Sequence, residues 1–178
     1  MEIDLTTGTK TTLSPVNVIA HIRKNHAMEH AAIHILTKSK PGVSFAGYSF
    51  IKGFWIYGKA DLQEVQKAAE MAYARLKNGE KNLAIHPNCG TNIAVTGLCT
   101  AAASMLALLG ESEEDSKFSR FSALTSAGLI GALISRPLGP KVQKHITTDP
   151  DMTGLSIVSI SCNSVHGTPV FFVHTRLD

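Results

Sequence analysis

His26, Glu29 and His30 stand at the spacing H-x-x-E-H, and His34 follows one turn later. On an α-helix, residues i and i+4 share a face, so two imidazoles can meet one metal ion with the Glu29 carboxylate beside them. Zinc is the metal this donor set suits, and it needs at least a third protein ligand. The leading candidate is His86, in the turn string His86-Pro87-Asn88-Cys89-Gly90, where the backbone is adjustable. Cys89 is next, because a thiolate ligates zinc well. His34 ranks third, since one helix does not readily wrap three successive turns around an ion. Glu29 would act as general base towards water if a coordination position stays open, or orient a ligating ring if the site is structural. The competing reading leaves the histidines without metal, hydrogen-bonded to backbone of the sheet or the hairpin loop.

The elements that must position these residues are legible from caps and periodicity. Ser14-Pro15 signals a helix start, and Pro41-Gly42 a stop, so a helix is expected from about Pro15 to Lys38. Within it His26 and His34 sit about 40° to either side of His30 at 100° per residue. Val18, Ile22, Ile33 and Leu36 form an apolar stripe next to them. Val43 to Phe50 and Phe54 to Tyr57, around Lys52-Gly53, read as a hairpin. Asp61 with Glu64 reads as a capping box opening a second helix with Leu62, Val65, Ala69, Ala72 and Leu76 on its core face. Asn82 to Ile85 is expected as a short strand. Leu155 to Cys162 and Thr168 to Thr175 are expected as strands, joined by the turn Asn163 to Gly167.

Between these halves lie two uncharged apolar stretches. Asn92 to Gly110 has 19 residues and Phe121 to Ile134 has 14. A membrane helix needs roughly 20 apolar residues, with about 17 as the lower bound. The first qualifies, and the second does if Phe118 to Ser135 is counted and Arg120 snorkels. Glu111 to Arg120 holds four acids and two bases and is the loop. Lys77 and Lys81 precede the pair, while Arg136, Lys141 and Lys144 follow it, so the positive-inside rule places both ends in the cytoplasm. The polar, acidic stretch Met1 to Lys10 shows no signal-peptide pattern. A buried hairpin in a soluble protein is the alternative.

The net charge of +3 is mild and its basic residues are scattered, which argues against nucleic acid as a partner. Three cysteines without framework spacing fit a reducing compartment rather than a disulfide scaffold. There is no phosphate loop, nucleophile elbow or dinucleotide fingerprint. The fold expected is α+β: a small mixed sheet of about five strands with two packed helices. Residues 1–90 and 136–178 form a cytoplasmic domain, and 91–135 form an inserted transmembrane helical hairpin.

Two strings together, Asn25-His26-Ala27-Met28-Glu29-His30-Ala31 and Ile85-His86-Pro87-Asn88-Cys89-Gly90-Thr91-Asn92, resemble a family of uncharacterised bacterial membrane proteins known from cyanobacteria and related phyla. The similarity spans roughly Asn25 to Ile160 and implies a membrane protein with a mid-chain hairpin, and no activity. A weaker, local resemblance links His26, Glu29 and His30 to the inverted zincins. That family takes its third ligand from a downstream glutamate on a longer, duplicated chain. Here Glu64, Glu70 and Glu80 fall within or just after a single capped helix.

Two functions compete. One is a small integral protein of the bacterial inner membrane holding zinc through His26, His30 and His86, a metal-dependent hydrolase with Glu29 as catalytic base. The other is a non-enzymatic scaffold or accessory subunit, a homo-oligomer or part of a larger membrane complex, packing through the small residues of its hairpin.

Overall fold

A computed structural model of the chain describes residues 15–110, 116–165 and 167–178. The expected cap at Ser14, the stretch Met1 to Lys10, the acidic tip 111–115 and His166 lie outside them. Helix α1 (Pro15–Ser39) runs as the caps indicate, and β1 (Ala46–Phe50) and β2 (Gly53–Tyr57) follow as a hairpin. Gly53 lies at φ +142 against the Val173 backbone, a conformation and a closeness that favour glycine. Helix α2 (Leu62–Lys77) opens on the capping box: Glu64 N–H donates to Asp61 Oδ1 at 2.8 Å and Asp61 N–H to Glu64 Oε2 at 2.9 Å.

Three expectations are corrected here. Asn82 to Ile85 is not a strand: Lys81–Ala84 is a 3₁₀ turn lying along α1. With β3 (Leu155–Val165) and β4 (Thr168–Leu177) the sheet therefore has four strands, in the order β1-β2-β4-β3. It is antiparallel throughout rather than mixed, because it is two hairpins joined edge to edge through β2 and β4, with no parallel crossover.

The inner sheet face presents Phe54, Ile56, Phe171 and Val173, all fully buried, to α1 and α2. The helices answer with Ala27, Ala31, Ala68, Ala69 and Ala72, whose small side chains let them approach closely, and with Met28 filling the gap. A buried polar chain pins α1 to the sheet. Asn25 donates to Phe50 O at 2.7 Å and accepts from Thr175 Oγ1 at 2.6 Å, which leaves Thr175 Oγ1 to accept from His21 Nε2 at 2.9 Å.

Helices α3 (Gly90–Leu108) and α4 (Lys117–Val142) pack on one another. Gly128, Gly131 and Ser135 face α3, where a Cβ on Gly131 would meet the Cys99 carbonyl carbon at 2.8 Å and Ser135 Oγ lies 2.8 Å from Thr96 Oγ1. Large aliphatic residues point outward instead, among them Leu98, Met105, Leu129 and Leu133. Both helices are long and apolar enough, by length and composition, to cross a membrane. Helix α4 continues past the expected end near Ser135 through Pro137 and Pro140, then closes in a π-type turn, Gln143–Thr147. Each proline costs the helix one N–H.

Candidate metal centre

Helix α1 supplies His26 and His30 one turn apart, and each ring is fixed through Nδ1. His26 Nδ1–H donates to Thr147 O at 3.0 Å, and His30 Nδ1–H to Ala84 O at 2.7 Å. A carbonyl only accepts, so the proton is on Nδ1 and, in the neutral rings, Nε2 carries the lone pair. The third group comes from Cys89, the N-cap of α3, whose Sγ accepts from Thr91 N–H at 3.4 Å and lies 3.3 Å from His26 Nε2. One ligand atom each of His26, His30 and Cys89 all lie within 4.8 Å of one another. Tetrahedral zinc, with bonds of about 2.0–2.3 Å, separates its ligand atoms by roughly 3.5 Å. Small side-chain rotations close that gap, so the donor set fits the ion. Backbone carbonyls on the far ring nitrogens are the outer support that ligating histidines have.

The electrostatics suit a thiolate. Burial opposes charge on Cys89, but its hydrogen-bond contacts with His26 and His30 and the N–H of Thr91 outweigh it and bring the thiol down to about 5. The helix N-terminus adds its partial positive charge. Burial likewise opposes a charged His26, yet the contact with Cys89, together with Glu29 and Thr147, raises its pKa. Burial pushes the Glu29 carboxyl up, more than the neighbouring His30 and His26 charges pull it down. Glu29 packs on β1 at Gly47, where a Cβ would lie 2.6 Å from its carboxyl carbon and make the carboxyl shift.

His86 stands beside this group of three rather than within it. Its ring centroid is 5.6 Å from that of His30 and 4.7 Å from that of His34, and its Nδ1 accepts from Asn88 N–H at 3.2 Å. Burial, then the charges of His34 and His30, lower it to about 4. His34 donates Nε2–H to Ile85 O at 2.8 Å.

Sequence reasoning missed the residues that hold the two feet of the helical pair at the site. Fully buried Gln143 accepts from His86 N–H at 2.9 Å and donates to His86 O at 3.1 Å and to Asn92 Oδ1 at 2.7 Å. Asn92 in turn donates to Pro87 O at 2.7 Å and packs on Gly139 of α4. The only sequence signal was a glutamine inside a basic stretch just after two prolines. A cavity of about 660 Å³ opens on the cluster, with His26, Glu29, His30 and Cys89 on its wall.

A four-stranded α+β unit with two long apolar helices between its hairpins, rooted at a largely buried His–His–Cys cluster, is the class these features define. Residues 21–160 match a domain of unknown function, DUF6391, and the chain belongs to that family. It is 35% identical over 167 residues to an uncharacterised protein of Picosynechococcus sp., a match covering 87% of this chain and 79% of that protein. No solved structure matches the chain.

Proposed function

We propose that the protein is a metal-dependent hydrolase of the inner membrane, its site on the cytoplasmic side, in which His26, His30 and Cys89 hold zinc and Glu29 is the general base. The observation that carries this is the paired anchoring of both rings through Nδ1, which turns two Nε2 atoms towards one thiol on the wall of a cavity that also holds a buried glutamate. Bound there, zinc supplies Lewis acidity to a substrate carbonyl and to water. Glu29, with its pKa raised, is suited to take a proton from water and pass it to a leaving group. Membrane placement is supported by the outward aliphatic faces of α3 and α4, and orientation by Arg136, Lys141 and Lys144 near the foot of α4.

The test is metal analysis and esterase assay of detergent-purified protein. Near-stoichiometric zinc is expected in wild type and in Glu29→Gln and His86→Ala, and loss of zinc in His30→Ala and Cys89→Ala. Hydrolysis of p-nitrophenyl acetate should be lost in Glu29→Gln despite bound metal. A metal-free, normally folded wild type refutes the proposal.

The 3.3 Å approach of Cys89 Sγ to His26 Nε2 favours a second reading, a metal-free thiol–imidazole nucleophile. Activity that survives chelation and dialysis selects it.

A further inference from the structure

We infer that the cavity beside the metal centre receives an anionic single-chain amphiphile, its head at Arg23 and its chain along an isoleucine wall; this rests on the membrane placement proposed above. The volume, about 660 Å³, falls within the range of about 300–1,000 Å³ that takes small molecules. Its lining is chemically divided. Ile19, Ile22 and Ile33 of α1, with Phe45, are apolar, and Ile19 is 59% exposed. Arg23 shares the lining, three residues before His26 and so about 4.5 Å away along the helix axis.

Arg23 is held in place without being neutralised. Its Nη2 donates to His145 O at 3.3 Å and Thr148 O at 3.1 Å, while its Nε is buried and has no partner. Among the described residues no carboxylate pairs with it. A guanidinium steadied by backbone carbonyls and left with its charge suits a carboxylate or phosphate head. Glu29, which would repel such a head, is six residues on, about 9 Å further along the axis. The anion-attracting end is therefore separated from the general base along α1, with His26 between them.

Depth supplies the chain. Gly90 and Thr91, which begin α3, and Thr147, which ends the turn after α4, also line the cavity. With the apolar helices in a bilayer, the cavity is level with the headgroups, where an anionic head and a hydrocarbon tail are presented together. A small anion alone would leave Ile19 wet, and a neutral chain alone would leave the Arg23 charge without a counter-ion.

The test uses full-length protein in phosphatidylcholine nanodiscs and palmitate carrying a diazirine in its chain, with crosslinks mapped by mass spectrometry. Labelling is expected between residues 19 and 45. It should fall about fivefold or more in Arg23→Gln and largely persist in Arg23→Lys, as expected for loss of a hydrogen bond to a charged group. Unlabelled palmitate should compete, and acetate or inorganic phosphate should not. On wild type, the neutral hexadecanol analogue should label weakly, an arm that needs no variant to fold. Labelling confined to the outer faces of α3 and α4, equal labelling by both probes, or competition by acetate or phosphate would overturn the inference. Zinc is measured on the same samples. Labelling that survives in metal-free His30→Ala supports the amphiphile site independently of zinc, whereas stoichiometric zinc without labelling on α1 sinks the amphiphile and leaves the metal centre standing.

Discussion

Burial opposes removing the proton from Cys89, but two imidazoles and a helix N-terminus face the sulfur and outweigh it, so the proton leaves more easily than in water. In metal-free protein carrying Cys99→Ser and Cys162→Ser, the rate of Cys89 alkylation by iodoacetamide should stay high from neutral pH down to about 5 and drop below it. An ordinary thiol climbs instead around about 8.5. The folded thiol is depressed below its unfolded value, so its contribution to stability is complete above that unfolded value and is lost as pH falls through about 5. An alkylation midpoint above 8 contradicts the geometry. At this scale the H-x-x-E-H pair was legible from spacing alone. The choice between His86 and Cys89 was not: they are three residues apart in one turn and both lie against α1, so which of them faces His26 depends on where α3 starts. Cys89 as N-cap turns its sulfur back towards His26, whereas His86 is drawn aside by Gln143 and Asn88.

Elements couple the site to the apolar pair. Gln143 satisfies both backbone groups of His86 and ties them to Asn92, so Gln143→Ala takes their partner from the half-buried His86 N–H and Asn92 Oδ1, while His86 O keeps Asn92 Nδ2 and Cys89 N–H. That should cost about 1–3 kcal/mol in thermal unfolding and weaken zinc binding by about tenfold through the displaced support. Unchanged melting and unchanged zinc affinity would show that the feet of the pair are independent of the site. Away from the site, Asp61→Ala should cost about 1 kcal/mol by removing the α2 cap, with metal content unaffected. The capping box and both hairpins were legible because their signals are local. Two features were not. Asn82 to Ile85 has a strand's composition, but the carbonyls of Ala84 and Ile85 are taken by His30 and His34 instead of a neighbouring strand. Helix α4 outlasts its prolines because Gly139 nests on Asn92 and Gln143 is locked at its end, contacts made only in the folded chain.

At the scale of the whole molecule the apolar surface falls into two sets. Alanines and aromatic or aliphatic side chains close the core between sheet and helices, while the small residues of α4 are used up against α3 and the large ones face out. Exposed aliphatic faces of that extent mark contact with lipid or protein. Alkaline carbonate extraction should leave the protein in the membrane pellet. A Cys99→Ser, Cys162→Ser chain with cysteine introduced as Ser112→Cys should react with an impermeant maleimide added outside intact cells, and Cys89 should not. Recovery of the protein in the soluble fraction would contradict the membrane placement, and the reverse labelling would contradict its orientation. The α+β class was legible because the apolar pair separates strand-rich halves. The antiparallel order was not, since nothing local sets the β2–β4 pairing.

The most direct measurement is X-ray absorption at the zinc edge of metal-loaded, full-length protein. The expected first shell contains one sulfur at about 2.3 Å and two imidazole nitrogens at about 2.0–2.1 Å, with the sulfur lost in Cys89→Ser. A shell of nitrogen and oxygen alone, unchanged in Cys89→Ser, would remove Cys89 from the centre and with it the proposed site.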